Sequence, residues 1–221
     1  MKSNKIRLSA LFMAVVMCFA NYSFACTNFL ITKGASKDGS TMVTYAADSH
    51  TLYGELYYNR AAQYPEGTMI QVIDWDSGKP LIQIPQVANT YTTVGNMNQW
   101  GLAIAETTYG GREELVDTTG GIDYGSLIYL TLQRAKNARE AIKQIAEFVD
   151  TYGYYSSGES FSIIDENEVW IMELIGKGAP VYNKKGKIDK RWTKGAVWVA
   201  MRVPDGYISG HANHARITTF A

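Results

Sequence analysis

The sequence lacks an apolar run long enough to cross a membrane. Its longest run, Leu8 to Ala20, holds 13 apolar or small residues, whereas a bilayer core of about 30 Å requires about 20. Basic residues precede this run, and Ser23 and Ala25 stand three and one residues before Cys26. This pattern predicts a secretory signal peptide over residues 1–25. We therefore expect a secreted or periplasmic protein of the bacterial envelope without a membrane span.

The sequence also lacks a second thiol that could pair with Cys26. It has two cysteines, and Cys18 lies in the predicted signal peptide, so the mature chain would have one thiol and no internal disulfide. A single thiol in an oxidising compartment is exposed to unwanted oxidation. Its place at the first mature position therefore indicates a function.

An excess of positive charge is absent as well. The chain has 21 basic and 21 acidic residues, and three basic but no acidic residues lie in the predicted signal peptide, so the mature chain is acidic. The one basic cluster, "NKKGKIDKR" from Asn183 to Arg191, is interrupted by glycine and aspartate and contains no aromatic residue. This composition argues against nucleic acid as a partner.

The order of elements predicts an α+β domain over residues 26–221. Short β-type runs separated by turns extend to about Tyr109, a helical zone follows, and strands then resume. "SLIYLTLQRA" predicts one helix, and "NAREAIKQIAEFVDTYG" predicts a second with Asn137 as N-cap and Gly153 as C-cap. The apolar stripe of the second helix predicts packing on a largely antiparallel sheet.

A cysteine at the N-terminus carries a base on its own Cα atom. The α-amino group has a pKa near 7.7 to 8.0 and a cysteine thiol has one near 8.5, so the amine is able to accept the thiol proton. Cys26 is therefore a candidate nucleophile. Two alternatives stay open: a lipid anchor, for which Ser23 is an atypical residue at minus three, and a buried structural cysteine.

The three histidines raise the alternative of a metal site. His211 and His214 are three residues apart, but the segment contains Gly210 and does not read as a helix. With His50 they make three imidazoles, and no carboxylate motif completes a ligand set. We expect neither a metal nor a cofactor.

Five blocks of the sequence resemble successive blocks of the secreted cysteine dipeptidases, peptidase family C69. They are "CTNFLITKGASKDGSTMVTYAADSH", "GNMNQWGLAIAETTYGGREEL", "IDYGSLIYLTLQRAKNAREAI", "YGYYSSGESFSIIDENEVWIMELIGKG" and "WVAMRVPDGYISGHANHARI". That family belongs to the N-terminal-nucleophile hydrolases, with bile salt hydrolase and penicillin V acylase. The resemblance runs from Cys26 to Ile217. It implies a four-layered αββα fold and metal-free hydrolysis of small peptide substrates, the dipeptides.

The resemblance also implies a role for particular residues. Cys26 matches the nucleophile and its amine the base, and Asp48 matches an aspartate that orients that amine. Asn213 matches an asparagine near the oxyanion, and Arg216 beside it is expected in the same site. Without the resemblance, Asp48 would read as a turn or capping residue.

An exopeptidase that acts on dipeptides must recognise the free ammonium group of its substrate. Glu106, in "IAETTY", and Thr108 on the same strand are the candidate substrate-binding residues. The alternative for Glu106 is a solvent-facing carboxylate at a strand end. Arg112, in the glycine-rich loop, is a candidate for a substrate carboxylate, and a solvated loop residue is its alternative.

The sequence departs from the resembling families in two places. Bile salt hydrolases carry an arginine in an "RNLD"-like stretch where this chain has Tyr45 and Ala46, which argues against bile salts as substrates. Dipeptidases of the family are about twice as long, and "HANHARITTFA" lacks the features of a domain end, so we expect a fragment. A non-enzymatic envelope protein, either lipid-anchored or a truncated peptide binder, and an amidase of penicillin V or bile-salt type stay open as alternatives.

Overall fold

The computed structural model describes residues 26–48 and 53–219. The predicted signal peptide and His50 lie outside these ranges. The α-helices are α1, Tyr124–Leu132, and α2, Ala138–Tyr152, and short 3-10 helices cover Lys33–Ala35 and Glu113–Leu115. The strands are β1 Thr27–Ile31, β2 Met42–Ala46, β3 Tyr58–Asn59, β4 Met69–Ile73, β5 Pro80–Pro85, β6 Thr93–Val94, β7 Met97–Asn98, β8 Ala103–Gly110, β9 Gly158–Ile164, β10 Val169–Gly176, β11 Ala196–Arg202 and β12 Ile208–His211.

The strands form three sheets in the described ranges. The largest has seven strands in the order β11-β10-β9-β8-β7-β6-β3, the second has the order β12-β1-β2, and β4 pairs with β5. Neighbouring strands are antiparallel in all three sheets. The predicted antiparallel arrangement is therefore confirmed.

Helix α2 has the predicted ends. The Asn137 side chain accepts a hydrogen bond from the Glu140 N–H at 2.9 Å, and the Glu140 carboxylate accepts one from the Lys136 N–H at 2.8 Å. This reciprocal arrangement satisfies one N–H group of the first turn and the N–H of the residue that precedes the N-cap. The helix ends at Gly153, whose φ of 81° lies in the left-handed region that favours glycine.

Helix α1 begins two residues earlier than the prediction, which started it at Ser126, and it ends at Leu132 rather than at residue 135. The buried carboxylate of Asp123 accepts hydrogen bonds from the backbone N–H groups of Gly125 at 3.2 Å and Ser126 at 3.4 Å. This cap outweighs the weak helix propensity of Gly125. The first turn of α1 is therefore anchored by a side chain that the periodicity of the apolar residues does not indicate.

The two faces of the seven-stranded sheet are covered differently. One face packs on α1 and α2 around buried apolar side chains that include Leu127, Ile145 and Phe161. The other face packs on the three-stranded sheet through a smaller cluster that includes Leu30 and Ile171. The α+β class is thus confirmed, with one helical layer and two sheet layers in the described ranges. None of the helices described there is long and apolar enough to cross a membrane.

A buried polar cluster joins the two sheets. The imidazole of His211 is hydrogen-bonded at 2.9 Å to Thr107 Oγ1 through Nδ1 and at 2.9 Å to Ser162 Oγ through Nε2. Asn28 Nδ2 also donates to Ser162 Oγ, at 3.0 Å, and all four side chains are buried. Burial, with a smaller effect of Arg216, lowers the pKa of His211 to about 4. The fold therefore holds this imidazole neutral.

We expect the contribution of His211 to the stability of the fold to fall as the pH is lowered from about 6.5 to about 4. The unfolded chain protonates His211 near its ordinary pKa of 6.5, whereas the folded protein does so only near pH 4. The stability that this histidine contributes is therefore complete above pH 6.5 and is lost toward pH 4. Over that range, the unfolding constant rises about tenfold for each unit by which the pH falls. Urea unfolding at several pH values measures this slope.

His211→Asn should remove this component of the slope, because asparagine does not titrate. The matched control is His214→Asn, since His214 is exposed and its replacement should leave the slope near that of the wild type. A His211→Asn protein with an unchanged slope would contradict the prediction.

Candidate active site

Two strand pairings determine the surroundings of Cys26. The antiparallel register that pairs Asn28 of β1 with His211 of β12 brings Asn213 opposite Cys26 when it is continued by two residues. On the other side, the pairing of β1 with β2 brings Asp48 to the same end of the sheet. The three-stranded sheet thus gathers Cys26, Asp48 and Asn213, three of the residues that the sequence predicted for one site.

The Cys26 thiol is half-buried. Burial raises its pKa, and the carboxylates of Glu106 and Asp48 add to this effect. The backbone N–H of Asp48 and the side-chain amide of Asn213 lie within hydrogen-bonding reach of the sulfur and oppose it. Because the pKa is raised on balance, the resting thiol is protonated, and a base is required before the sulfur becomes a strong nucleophile.

Asn213 presents an amide to the thiol. Its Nδ2 donates one hydrogen bond to the carbonyl oxygen of Thr108 at 2.7 Å, and an amide nitrogen has a second hydrogen to donate. Its φ of 27° lies on the positive side, where asparagine is enriched among non-glycine residues. The geometry suits a donor that stabilises negative charge next to the sulfur.

Glu106 is buried, with 3% of its surface exposed, so the solvent-facing interpretation is wrong. Its Oε1 accepts a hydrogen bond of 2.6 Å from the Tyr45 hydroxyl. Burial, then Glu106, raises the pKa of Tyr45, which keeps the hydroxyl a donor. Sequence reasoning noted Tyr45 as a departure from bile salt hydrolases and missed its contact with Glu106.

Thr108 links two parts of this cluster. Its carbonyl oxygen accepts from Asn213, and its hydroxyl donates to Glu159 Oε2 at 3.0 Å. Glu159, on β9, is fully buried and lies within hydrogen-bonding reach of Glu106. Sequence reasoning missed Glu159, although a glutamate in the otherwise uncharged strand "GESFSII" was a signal that could have drawn attention to it.

Arg216 is connected to the site mainly through its backbone. Its N–H donates to the buried carboxylate of Glu173, and the N–H of Ile217 donates to the same carboxylate at 3.1 Å. The Arg216 side chain is exposed, and its guanidinium lies close enough to His211 to lower the pKa of that imidazole. Glu173 therefore anchors the segment that carries Asn213.

The remaining candidates lie apart from this cluster. Arg112 is exposed and forms an ion pair with Glu114 in the loop, as the solvated-loop alternative predicted. His211 is buried with both ring nitrogens hydrogen-bonded, whereas His214 is exposed. In residues 26–48 and 53–219, no three His, Cys, Asp or Glu side chains are placed to hold a metal ion together.

A thiol at a strand end, beside an amide donor and buried carboxyl groups, provides the parts that a cysteine-type peptidase requires. Comparison with known families gives the particular family. The model of peptidase family C69 matches residues 25–221, and the chain belongs to this family. The resemblance seen in the sequence is therefore confirmed.

Curated relatives carry dipeptidase names. The chain is 27% identical over 223 residues to the probable dipeptidase A of Streptococcus pyogenes serotype M18 (strain MGAS8232), covering 89% of this chain and 41% of that protein. It is 27% identical over 216 residues to dipeptidase A of Lactobacillus helveticus, covering 88% and 41%. For the probable dipeptidase of Latilactobacillus sakei, the identity is 24% over 211 residues, covering 87% and 40%. The chain thus spans well under half the length of these relatives.

Glu173→Gln should loosen the segment that carries Asn213. The carboxylate accepts two backbone N–H groups, whereas a glutamine amide presents one oxygen and one NH₂ group, so one N–H loses its acceptor. The loss of such a bond costs about 1–3 kcal/mol, and hydrogen exchange at the amides of Arg216 and Ile217 should accelerate about tenfold to a hundredfold. Glu147→Gln, at an exposed position of α2, is the control. Unchanged exchange in Glu173→Gln would show that the segment is held by other contacts.

Proposed function

We propose that the protein is an exported dipeptidase that uses Cys26 as an N-terminal nucleophile. The observation that supports this most directly is the convergence of Cys26, the Asn213 amide and the Asp48 backbone N–H at one end of the three-stranded sheet. Membership of peptidase family C69 and the names of the relatives agree with it. The signal peptide predicted over residues 1–25 would bring the chain to the envelope, and its removal would free the α-amine of Cys26.

The first half of the reaction forms an acyl-enzyme. The Cys26 sulfur attacks the carbon of the scissile peptide carbonyl while the α-amine of the same residue takes the thiol proton. The carbonyl oxygen becomes an oxyanion, which Asn213 Nδ2 and a backbone N–H stabilise. Asp48, at the same strand end, orients the amine. Collapse of the intermediate breaks the C–N bond, and the protonated amine transfers its proton to the departing amino acid.

The second half of the reaction is hydrolysis of the thioester. The α-amine accepts a proton from water as the water oxygen attacks the acyl carbon. Collapse of this second intermediate breaks the C–S bond, and the protonated amine returns its proton to the sulfur, which restores the thiol. The first amino acid leaves as a carboxylic acid that ionises in water. The raised pKa of the Cys26 thiol fits this cycle, because the thiol is neutral before attack and after release.

The acidic side chains near Cys26 support a substrate with a free ammonium group. Glu106 is buried and accepts a hydrogen bond from Tyr45, and none of the ion pairs in the described ranges involves it. A buried carboxylate without a cationic partner is costly, and the α-ammonium of a bound dipeptide would supply that partner. Thr108 lies two residues further along β8, next to the same part of the site as Glu106.

The mechanism requires a free α-amine on Cys26. A chain that begins at Cys26 should cleave dipeptides, with activity that rises as the α-amine deprotonates near pH 7.7 to 8.0. The same chain with one methionine retained before Cys26, and the variant Cys26→Ala, should lose activity by on the order of 10⁴-fold. Mass spectrometry of each protein establishes the terminus, and thiol titration confirms an intact Cys26 in the methionine-extended control. Equal activity with and without the methionine would refute the amine as base, and an acylated Cys26 in protein exported by a bacterium would favour a lipid anchor.

Glu106→Gln should impair dipeptides and spare substrates without a free amine. Loss of a charged hydrogen bond of about 1.5–3 kcal/mol corresponds to a rise in KM of about tenfold to a hundredfold. KM values for a dipeptide and its N-acetylated form are compared, with the exposed Glu113→Gln as the control. An equal effect on the KM of both substrates would show that Glu106 does not bind the ammonium group.

A further inference from the structure

Two neighbouring carboxyl groups in the site each bury one oxygen that receives no hydrogen bond. Glu106 Oε1 accepts from Tyr45 and Glu159 Oε2 accepts from Thr108. Glu106 Oε2 and Glu159 Oε1 are buried and have no donor in the described part of the chain. The two side chains are 3% and 0% exposed, so bulk water does not reach them freely. The register of β8 and β9, which pairs Thr108 with Glu159, brings these two carboxyl groups next to each other, and their two unpaired oxygens require an explanation.

In residues 26–48 and 53–219, no cationic side chain explains them. Besides Glu106, the titratable groups that face Glu159 are the Cys26 thiol and the phenols of Tyr109, Tyr124 and Tyr154. All are acids, and neither carboxyl takes part in an ion pair of the described ranges. Two ionised carboxylates side by side in such a place would repel each other and would both lack solvation.

A single proton shared by the two carboxyl groups removes both the charge repulsion and the lack of a hydrogen-bond partner. A proton on Glu159 Oε1 turns that oxygen into a donor to Glu106 Oε2, so a single O–H group satisfies both oxygens. Glu159 is the more buried of the two, and burial, followed by the charge of Glu106, raises its pKa well above the ordinary value. The other oxygen of Glu106 already accepts a hydrogen bond from the Tyr45 hydroxyl.

We propose that Glu159 is a positioning residue that keeps a proton at neutral pH and donates it to Glu106, which stays a single, oriented carboxylate beside Cys26. This assignment deepens the proposed dipeptidase function and rests on it for the substrate group that Glu106 receives, a primary ammonium. The shared proton also leaves one negative charge near the sulfur rather than two. One negative charge opposes formation of the Cys26 thiolate during attack less than two ionised carboxylates would.

The pH dependence of stability tests the proton on Glu159 without any assay of activity. The folded-state pKa is raised, so the contribution of Glu159 to stability is complete below about 4.5, the ordinary pKa, and is lost as the pH rises toward the folded-state value. Glu159→Gln does not titrate, and its amide is able both to donate to Glu106 and to accept from Thr108. The unfolding constant of the wild type relative to Glu159→Gln should therefore rise about tenfold per pH unit between pH 5 and 7.

Glu166→Gln is the matched control, since Glu166 is exposed, and its slope should follow that of the wild type. Urea unfolding at each pH gives the constants. If Glu159→Gln and the wild type have parallel slopes, Glu159 is ionised in the folded protein and the proposal is overturned.

Kinetics test the positioning role. Glu159→Gln should keep KM for a dipeptide within about threefold of the wild type, because the amide reproduces the donor. Glu159→Leu, which has no donor, should raise KM more than tenfold with a smaller change in kcat. An unchanged KM in Glu159→Leu overturns the positioning role. If the wild type does not cleave dipeptides, the proposed function fails, whereas the slopes of Glu159→Gln and the wild type still decide whether Glu159 holds the proton.

Discussion

The central position of β1 in the three-stranded sheet is the constraint on which the site depends. Backbone hydrogen bonds to β12 on one side and to β2 on the other fix the register of β1. That register places Asn213 and Asp48 at the end where Cys26 lies, and it directs Asn28 into the layer between the sheets. A slip of one residue would turn every side chain of β1 to the opposite face. The buried hydrogen bonds of Asn28 and His211 oppose such a slip, because it would leave polar atoms without partners.

The ionisable side chains around the Cys26 thiol are almost all acids, and this determines the chemistry of the site. Burial, Glu106 and the Asp48 carboxylate all disfavour a thiolate at rest, while the backbone N–H of Asp48 and the Asn213 amide favour negative charge when it develops. A sulfur in these surroundings is protected from adventitious oxidation, which requires the thiolate. Under the proposed mechanism, reactivity then depends on the α-amine that accompanies the nucleophile, and on a substrate whose own positive charge offsets the carboxylates.

Local patterns in the sequence predicted some parts of this structure and not others. Helix α2 was predicted with both ends because its capping residues and apolar stripe are local signals. The family resemblance brought Cys26, Asp48 and Asn213 into one hypothesis, and the sheet register places them together. Tyr45 and Glu159 were missed because their contacts cross between strands distant in the chain, where spacing carries no information. The burial of Glu106 could not be predicted from the sequence of β8, because the alternation of apolar and polar residues does not reveal which face of a strand is covered.

The two-sided pairing of β1 also bears on how such a protein would be activated. Since β1 is held by neighbours on both sides and by the apolar cluster around Leu30, cutting the chain just before Cys26 would leave the strand in place. Under the proposed mechanism the change is confined to one atom, the nitrogen of Cys26, which passes from an amide without basicity to an amine. The strands around Cys26 would then be the same before and after the cut, and the latency of the uncut chain would lie in the chemistry of that one nitrogen.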